Sequence, residues 1–135
     1  MRLAADADVL LAAVLGGSAK RVLTHPSVER VYSTQHTFDE VREYVPILAH
    51  RKRLALEVLL LATASLPVEI LSADEYGAAR SAAEEMIAGR DPDDVEILAL
   101  ALHLEVPIWS NDNDFNGLAI KRFTTAQILR FLDAV

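Results

Sequence analysis

The chain of 135 residues contains no cysteine. This absence excludes disulfide bonds, metal sites built on thiolates and cysteine nucleophiles, whatever the fold. Structural disulfides belong to oxidising compartments, so a chain without cysteine suits a reducing one. On this ground we expect the protein to act in the cytoplasm.

Positive charge is also scarce. Lysine and arginine together number 13, against 20 aspartates and glutamates, which gives a formal net charge of −7. A protein that binds nucleic acid non-specifically by neutralising phosphates is usually basic. If this chain acts on nucleic acid, something other than its bulk charge must attract the phosphates, and a bound metal ion is one candidate.

The sequence lacks an apolar run long enough to cross a membrane. Its most apolar stretch, residues 54–68, is too short and contains Glu57. Asp6 and Asp8 interrupt the N-terminal apolar run, which argues against a signal peptide. We therefore expect no membrane association. Hydrophobic residues make up 52% of the chain, so we expect a packed core, with residues 1–135 forming one domain.

Strands and helices alternate along the sequence. Short aliphatic runs predict strands at residues 2–5, 29–33, 68–71 and 106–110. Helical spacing, caps and breakers predict helices at 7–15, from 18 onward, 36–51, 53–65, 72–88, 91–104 and from 124 or 125 to about 134. This order predicts an α/β fold with a mainly parallel sheet covered by helices on both faces. In such folds the functional crevice lies outside the carboxyl ends of the strands.

Three features refine the predicted helices. Pro46 predicts a kink or a break in the helix 36–51. The helix 53–65 is so apolar that we expect it to be buried. Ser72 and Glu75 form a predicted capping box, and Pro92 stands at the first position of the next helix.

Several carboxylates are expected at the rim of the sheet. Asp6 follows the first strand, and Asp112 and Asp114 follow the last predicted strand. If those strands are parallel neighbours, the three carboxylates meet at one edge, where their repulsion requires a cation. The alternative is that Asp6 and Asp8 are ordinary helix caps and that Asp112 and Asp114 are turn residues.

Two further acids are predicted to point inward. Asp94 lies on the same helical face as Ile97, Leu98 and Ala101, where a charge is costly unless it is paired or coordinated. Glu40 is expected to lean toward the interior by the same spacing argument. Asp91 and Asp93 are expected to be a cap and a solvated first-turn acid, and Asp94 could be the same.

The predicted ligand set consists of oxygen atoms alone. The histidines show no ligand spacing, so we assign them no role. Carboxylate oxygens suit a hard cation, and Mg²⁺ or Mn²⁺ fits better than zinc. A carboxylate-held ion of this kind supports hydrolysis of phosphate esters by activating water and stabilising charge.

Four segments in order resemble the PIN domain family, which includes the VapC-type toxins of toxin–antitoxin pairs. The segments are L-A-A-D-A-D-V-L-L at 3–11, the glutamate at 40 after a strand, D-P-D-D-V-E-I-L-A-L-A-L at 91–102 and I-W-S-N-D-N-D-F at 108–115. The resemblance spans nearly the whole chain. It implies a three-layer α/β/α sandwich with a short, mainly parallel central sheet.

The resemblance also implies a metal-dependent ribonuclease, an RNA substrate, an antitoxin partner and a homodimer. The implied catalytic residues are Asp6, Glu40, Asp94 and Asp112, and the implied ligands of Mg²⁺ or Mn²⁺ are Asp6, Asp94, Asp112 and Asp114. Ser110 stands where the family usually has Thr or Ser. The chain departs from the family at Asp8, where Asn is common. Asp8 could add a ligand or cap the first helix.

Two rival functions remain at the level of the sequence. The segment D-A-D-V at 6–9 resembles the motif of haloacid-dehalogenase-type phosphatases, but that chemistry wants a lysine shortly before the late acidic pair. The lysines between the motifs, Lys20 and Lys52, are far upstream. The other rival is a non-catalytic module that binds RNA or a partner through its apolar helices.

Overall fold

The computed structural model describes residues 1–133, which form a parallel sheet flanked by helices. The strands are β1 (Arg2–Ala5), β2 (Arg30–Thr34), β3 (Glu69–Leu71), β4 (Ile108–Trp109) and β5 (Arg122–Phe123). The α-helices are α1 (Ala7–Leu15), α2 (Gly17–Thr24), α3 (Gln35–Lys52), α4 (Leu56–Ala64), α5 (Ala73–Tyr76), α6 (Arg80–Met86), α7 (Val95–Leu104) and α8 (Thr125–Asp133). Short 3₁₀ turns cover Gly77–Ala79, Pro92–Asp94 and Asn113–Phe115.

The sheet has the strand order β3-β2-β1-β4-β5, and its neighbouring strands run parallel. Ala4 of β1 pairs with Tyr32 of β2 on one side and with Ile108 of β4 on the other. Parallel strands share one carboxyl edge, so β1 and β4 deliver the residues that follow them to the same place. The predicted α/β fold is confirmed, with a sheet that is parallel throughout.

Two hydrophobic layers cover the two faces of the sheet. Successive strand residues point to opposite faces, so Leu3 and Trp109 pack on one side while Ala4 and Ile108 pack on the other. The first layer contains α1, α2, α3, α4 and α8, and the second contains α5, α6 and α7. The arrangement is the α/β/α sandwich that the sequence predicts.

The carboxyl-terminal half of the sheet differs from the prediction. Strand β4 is only two residues long, whereas five were expected, and β5 was not predicted. Strand β5 continues the sheet beyond β4, with Phe123 in register with Trp109. Two-residue strands lack the alternation on which prediction depends, and β5 begins with an arginine. The final helix follows it directly, and its predicted end at Ala134 lies outside the described residues.

The helices differ from the prediction in three places. Helix α3 runs unbroken through Pro46, because that residue is exposed and water can satisfy the carbonyl that the missing N–H leaves free. The predicted helix 72–88 divides into α5, a 3₁₀ turn and α6, where Gly77 weakens the helical path. Its capping box is present, with Ser72 N donating to Glu75 Oε2 at 2.7 Å.

Helix α4 is the third of these, since it was expected to be buried and is half exposed instead. Leu59 and Thr63 face the core, while Val58 and Leu61 are 63% and 70% exposed. The helix is apolar around its whole circumference, so its sequence carries no sign of which side faces the core. Among residues 1–133, no helix combines the length and the apolar content needed to span a membrane.

Candidate acidic site

Asp6 joins the carboxyl ends of β1 and β4. Its backbone N–H donates to Trp109 O at 3.0 Å, and its Oδ1 accepts from Ala7 N at 2.8 Å, which caps α1. Its Oδ2 accepts from Ser110 Oγ at 3.0 Å. Asp6 is therefore a helix cap, as the alternative expected, but capping uses only one of its carboxylate oxygens. The other oxygen is bound by Ser110, the residue that follows β4. The Ser110 hydroxyl keeps Asp6 turned toward the rim.

Asp8 fastens the loop after β4 to helix α1. Its Oδ1 accepts from Val9 N at 2.8 Å, and its Oδ2 accepts from Asn111 N at 2.9 Å. Ser110 Oγ lies 3.4 Å from the same Oδ1. Both carboxylate oxygens of Asp8 thus accept backbone hydrogen bonds. This makes Asp8 a scaffold between α1 and the 110–111 loop, and a weaker candidate for a metal ligand than Asp6.

Asp94 is the buried member of a group of three carboxylates. It closes the 3₁₀ turn before α7 and is only 7% exposed, as its helical spacing predicts. One oxygen each from Asp91, Asp94 and Asp114 lie within 4.8 Å of one another. Asp94 Oδ2 is buried and has no hydrogen-bond partner in the described part of the chain. A buried carboxylate oxygen without a donor fits coordination to a cation, because leaving it unpaired is costly.

Asp91 was expected to be only a cap. It does accept from Asp93 N at 3.0 Å, which caps the 3₁₀ turn, but it also belongs to the group of three. The signal was available in the sequence, because residues 91 and 94 are neighbours on a helical turn. Asp93, between them, is exposed as expected.

Asp112 and Asp114 occupy different positions on the loop after β4. Asp112 is exposed, and its Oδ1 accepts from Asp114 N at 3.0 Å, so the turn-residue reading holds for it. Its backbone N donates to Ser110 Oγ at 3.0 Å, close to Asp6. Asp114 is half buried and faces Asp94. The loop thus places Asp112 beside Ser110 and Asp114 beside Asp94.

Burial and mutual repulsion raise the pKa values of several of these carboxylates. Burial raises the pKa of Asp94 to about 8, with further contributions from the charges of Asp6, Asp114 and Asp91 and from a hydrogen bond with Asp114. Burial raises the pKa of Asp6 to about 6, and the charges of Asp8 and Asp112 add to the shift while hydrogen bonds from Ala7 and Ser110 oppose it. Burial also raises the pKa of Asp8. The charge of Asp6 thus acts on Asp94, which puts the two carboxylates in one electrostatic site.

Glu40 lies at the margin of this site and is half buried, so it leans inward only in part. Its side chain is 40% exposed, because the buried stripe of α3 runs one position further along. That stripe consists of Thr37, Val41, Val45 and Ala49. Burial raises the pKa of Glu40, the charge of His36 lowers it, and the charges of Asp93 and Asp91 raise it. Glu40 therefore shares the field of the acidic turn 91–94.

His36 and Glu96 were missed by the sequence analysis. His36 Nε2 lies 2.9 Å from Glu40 Oε1, and the i, i+4 spacing of the pair was a visible signal. Glu96 is buried beside Arg80, whose Nη1 lies 3.5 Å from Glu96 Oε1, and its other oxygen has no partner within residues 1–133. Glu96 was missed because α7 is buried on nearly every side. The sequence of such a helix has no polar face from which to judge whether a charged residue points inward or outward.

Arginine side chains hold the acidic loop in place. Arg90, next to Asp91, donates from Nη1 to Asp114 O at 2.6 Å and to Asn116 O at 2.7 Å. Arg122 donates to the side-chain oxygens of Asn113 and Asn116 at 3.3 and 2.5 Å. The Arg90 contacts tie the backbone of Asp114 to the turn that carries Asp91 and Asp94. The spacing of the three carboxylates depends on this tie.

The acidic site is suited to a hard divalent cation. Its candidate ligands are carboxylate oxygens, one of them buried without a donor, and Mg²⁺ or Mn²⁺ prefers such ligands. The group of three contains Asp94 and Asp114 from the predicted ligand set and adds Asp91. Asp6 and Asp112 are joined to each other through the Ser110 hydroxyl.

Comparisons with known proteins place this fold. A family model of the PIN domain matches residues 5–132. No curated protein matches the chain in sequence. PAE2754 from Pyrobaculum aerophilum shares 13% identity at a TM-score of 0.70, over 100% of this chain and 91% of that one.

Two further solved structures are similar. One is VapBC2 from Rickettsia felis, in a crystal structure bound to a DNA fragment from its promoter. It shares 14% identity at a TM-score of 0.66, over 92% of this chain and 98% of that one. VapC20 from Mycobacterium tuberculosis, a Sarcin-Ricin loop cleaving toxin, shares 17% identity at a TM-score of 0.59, over 87% and 96%. At these identities the likeness concerns the fold, and it agrees with the five-stranded parallel sheet described above.

Proposed function

The chain belongs to the PIN domain family, and from this membership we propose that it is a metal-dependent ribonuclease that hydrolyses phosphodiester bonds of RNA. We take it to be the toxin of a toxin–antitoxin pair, acting in the cytoplasm as one domain over residues 1–135. The observation that carries the proposal is the buried Asp94, whose Oδ2 lacks a hydrogen bond within residues 1–133 and lies in a group of three carboxylates. A phosphatase of the haloacid-dehalogenase type is not supported by this family.

The proposed roles divide the acidic residues into two sets. Asp6, Asp94, Asp112 and Asp114 are the proposed ligands of Mg²⁺ or Mn²⁺, and the geometry adds Asp91 as a candidate. When bound, such an ion supplies an activated water and stabilises negative charge on the phosphate. Ser110 orients Asp6 by donating to its Oδ2. Glu40 Oε1, beside His36 Nε2, is placed to take up a proton at the exposed margin of the site.

The experiment that tests the proposal is cleavage of RNA by the purified protein. Structured RNAs are incubated with Mg²⁺, with Mn²⁺ or with EDTA, and the products are resolved on a denaturing gel. We expect cleavage with either metal and none with EDTA. If the metal binds, as measured by calorimetry, and no RNA is cut, the non-catalytic alternative is the better description. Asp94→Asn, discussed below, separates cleavage by this chain from cleavage by a contaminant.

Arg90 provides a test of the metal site that does not depend on catalysis. Arg90→Gln removes the charge that holds the Asp114 and Asn116 carbonyls, so the three carboxylates lose their spacing. Because groups that position metal ligands typically contribute a factor of 10 to 100 in affinity, we expect Mn²⁺ binding to weaken by about that factor. Isothermal titration calorimetry measures it.

The matched control for Arg90 is Arg42→Gln. Arg42 is an exposed arginine of α3 whose only ion pair in the described part of the chain is a loose one with Asp39 at 3.9 Å. We expect its loss to leave Mn²⁺ affinity unchanged. Equal affinities for the wild type and Arg90→Gln would show that the loop does not set the ligand geometry.

Helix α4 carries the surface that we assign to a homodimer. Leu56, Val58, Leu60 and Leu61 are exposed along it, and Leu54 is exposed just before it. Contiguous apolar patches on soluble proteins mark interfaces. Leu61→Asp should convert a dimer of twice 14.8 kDa to a monomer, as measured by sedimentation. Phe131→Asp, on α8, puts the same charge on an exposed apolar position elsewhere and should leave the dimer intact. A monomeric wild type would contradict this assignment.

The antitoxin is the other partner that we propose. The support is the toxin resemblance together with the VapBC2 neighbour, whose fold this chain shares. The acidic rim offers such a partner a clear target, because a cationic side chain placed there would relieve the repulsion among Asp6, Asp94 and Asp114.

A further inference from the structure

An aromatic cavity lies between β5 and α8, outside the acidic site. Its volume is about 340 Å³, and it is lined by Phe123, Gln127, Arg130 and Phe131. The rings of Phe123 and Phe131 meet edge to face, with centroids 5.6 Å apart. Phe131 is 54% exposed, so much of its ring faces the solvent. An exposed aromatic ring next to an amide and a guanidinium is complementary to a ligand that has a flat apolar face and polar edges.

The cavity is close to the acidic rim. Phe123 is the last residue of β5, and its carbonyl accepts from Ser110 N at 3.1 Å, while Ser110 Oγ donates to Asp6. Helix α8 begins at Thr125, whose N–H donates to Asn111 Oδ1 at 3.0 Å. Phe131 comes six residues later, about 9 Å along the helix axis. A polynucleotide strand bound at the acidic rim can therefore reach the cavity within a few nucleotides.

Charge favours a phosphate-bearing ligand at this place. The chain carries a net charge of −7, yet Arg130 lines the cavity. Arg122, on the opposite face of β5, is held against the loop at Asn113 and Asn116. Gln127 uses its Oε1 to accept from Thr124 N at 2.8 Å, so its amide NH₂ is the group it can offer to a ligand. An apolar protein segment could bind equally well to the exposed apolar face of α4, which carries no arginine or lysine. The arginine at this cavity therefore favours a ligand that carries phosphate.

We infer that this cavity binds a nucleobase of the RNA strand whose backbone lies at the acidic rim. The base stacks on the ring of Phe131, the Gln127 amide donates to an acceptor on the base edge, and Arg130 contacts the neighbouring phosphate. Aromatic stacking and cationic side chains are the means by which proteins hold single-stranded nucleic acid. The inference rests on the proposed ribonuclease function and adds to it a subsite for an unpaired base.

The test measures RNA binding in the Asp94→Asn background, in which we expect no cleavage. The probe is a 12-nucleotide single-stranded RNA of mixed sequence with a fluorescein label, followed by anisotropy. Phe131→Leu keeps an apolar side chain and removes the ring, and we expect the Kd to rise about ten-fold or more. Phe131→Trp should restore binding, because the stacking surface returns. Ile47→Ala, at an exposed apolar position of α3, is the matched control and should not change the Kd.

A second measurement separates a local effect from damage to the acidic site. Mn²⁺ should stabilise the Phe131→Leu variant, made in the otherwise wild-type chain, by the same amount as it stabilises the wild type. If Phe131→Leu leaves RNA binding unchanged, this inference is overturned and the nuclease proposal still stands. If the parent protein neither binds nor cleaves RNA, the proposed function fails and the base subsite fails with it.

Discussion

Replacing Asp94 with asparagine is expected to abolish metal-dependent cleavage of RNA while the protein stays folded. Asparagine has nearly the same shape, so the packing beneath α7 should be preserved. The change removes a charge that lies in a buried position, 7% exposed, with one oxygen lacking a hydrogen bond within residues 1–133. Removal of one preorganised electrostatic group typically lowers kcat by a factor of 10² to 10³, and we expect a loss of at least about a hundred-fold.

The same substitution should stabilise the metal-free protein. Asp94 is repelled by Asp6, Asp114 and Asp91, and asparagine relieves that repulsion. Asp93→Asn is the matched control, because Asp93 is adjacent in sequence and exposed. We expect the control to cleave RNA within about two-fold of the wild type. Gel assays measure cleavage, and thermal melts in EDTA measure stability. Cleavage by Asp94→Asn at the wild-type rate would show that the site lies elsewhere.

The second large expected effect is on the free energy of unfolding, which should depend on both pH and bound metal. The pKa of Asp94 is raised to about 8 and that of Asp6 to about 6 in the folded protein, from ordinary values near 3.8. Between pH 4 and 8 the unfolded chain has released protons that the folded chain still holds. The free energy of unfolding of the metal-free protein therefore falls as the pH rises through this window. We expect a fall of roughly 4–5 kcal/mol between pH 5 and 8, most of it from Asp94.

Added Mg²⁺ or Mn²⁺ should offset a large part of this loss, and most strongly at high pH. The ion competes with protons for the same carboxylates, so its affinity increases as they deprotonate. At a hundred times its Kd the ion stabilises the fold by about 2.7 kcal/mol. For a chain of this length that corresponds to a Tm increase of roughly 8 °C.

Thermal melts at pH 5, 6, 7 and 8, with EDTA or with Mn²⁺, measure both effects. Asp94→Asn serves as the control, since it should flatten the pH dependence in EDTA and remove most of the response to Mn²⁺. A Tm that does not move with Mn²⁺ at pH 8 would count against a formed metal site. A wild type that becomes more stable between pH 5 and 8 without metal would contradict the raised pKa values.

The sequence predicted best where one physical pattern dominated. The bounds of β1 and α1 are as expected, because Asp6 caps a helix that begins where the strand stops and Gly16 ends it. Asp94 was found because a charge on an apolar helical face has few structural explanations. The meeting of Asp6 with the loop after β4 followed from the shared carboxyl edge of parallel strands.

The parts that could not be predicted depend on contacts between distant segments. Nothing local distinguishes the exposed side of α4 from its buried side, because both are leucine-rich. Strand β5 exists because Arg122 and Phe123 extend the sheet beside β4, and two residues carry too little pattern to show it. The Arg90 tie to the Asp114 carbonyl joins residues 24 positions apart. Glu40 lies beside the buried stripe of α3 and not within it, because a shift of one position on a helix turns a side chain by about 100°.

The bond between Ser110 and Asp6 also bears on when the protein can become active during its synthesis. The two residues are 104 positions apart, and Asp94 and Asp114 likewise belong to the last third of the chain. Contacts of such high sequence separation form late in folding, because the intervening chain must first be ordered. Synthesis proceeds from the N-terminus at roughly 5–20 residues per second, so the acidic group cannot assemble until β4 and the loop after it have left the ribosome. Under the proposed ribonuclease function, the nascent chain therefore stays inert toward the RNA that encodes and translates it until this loop has been made.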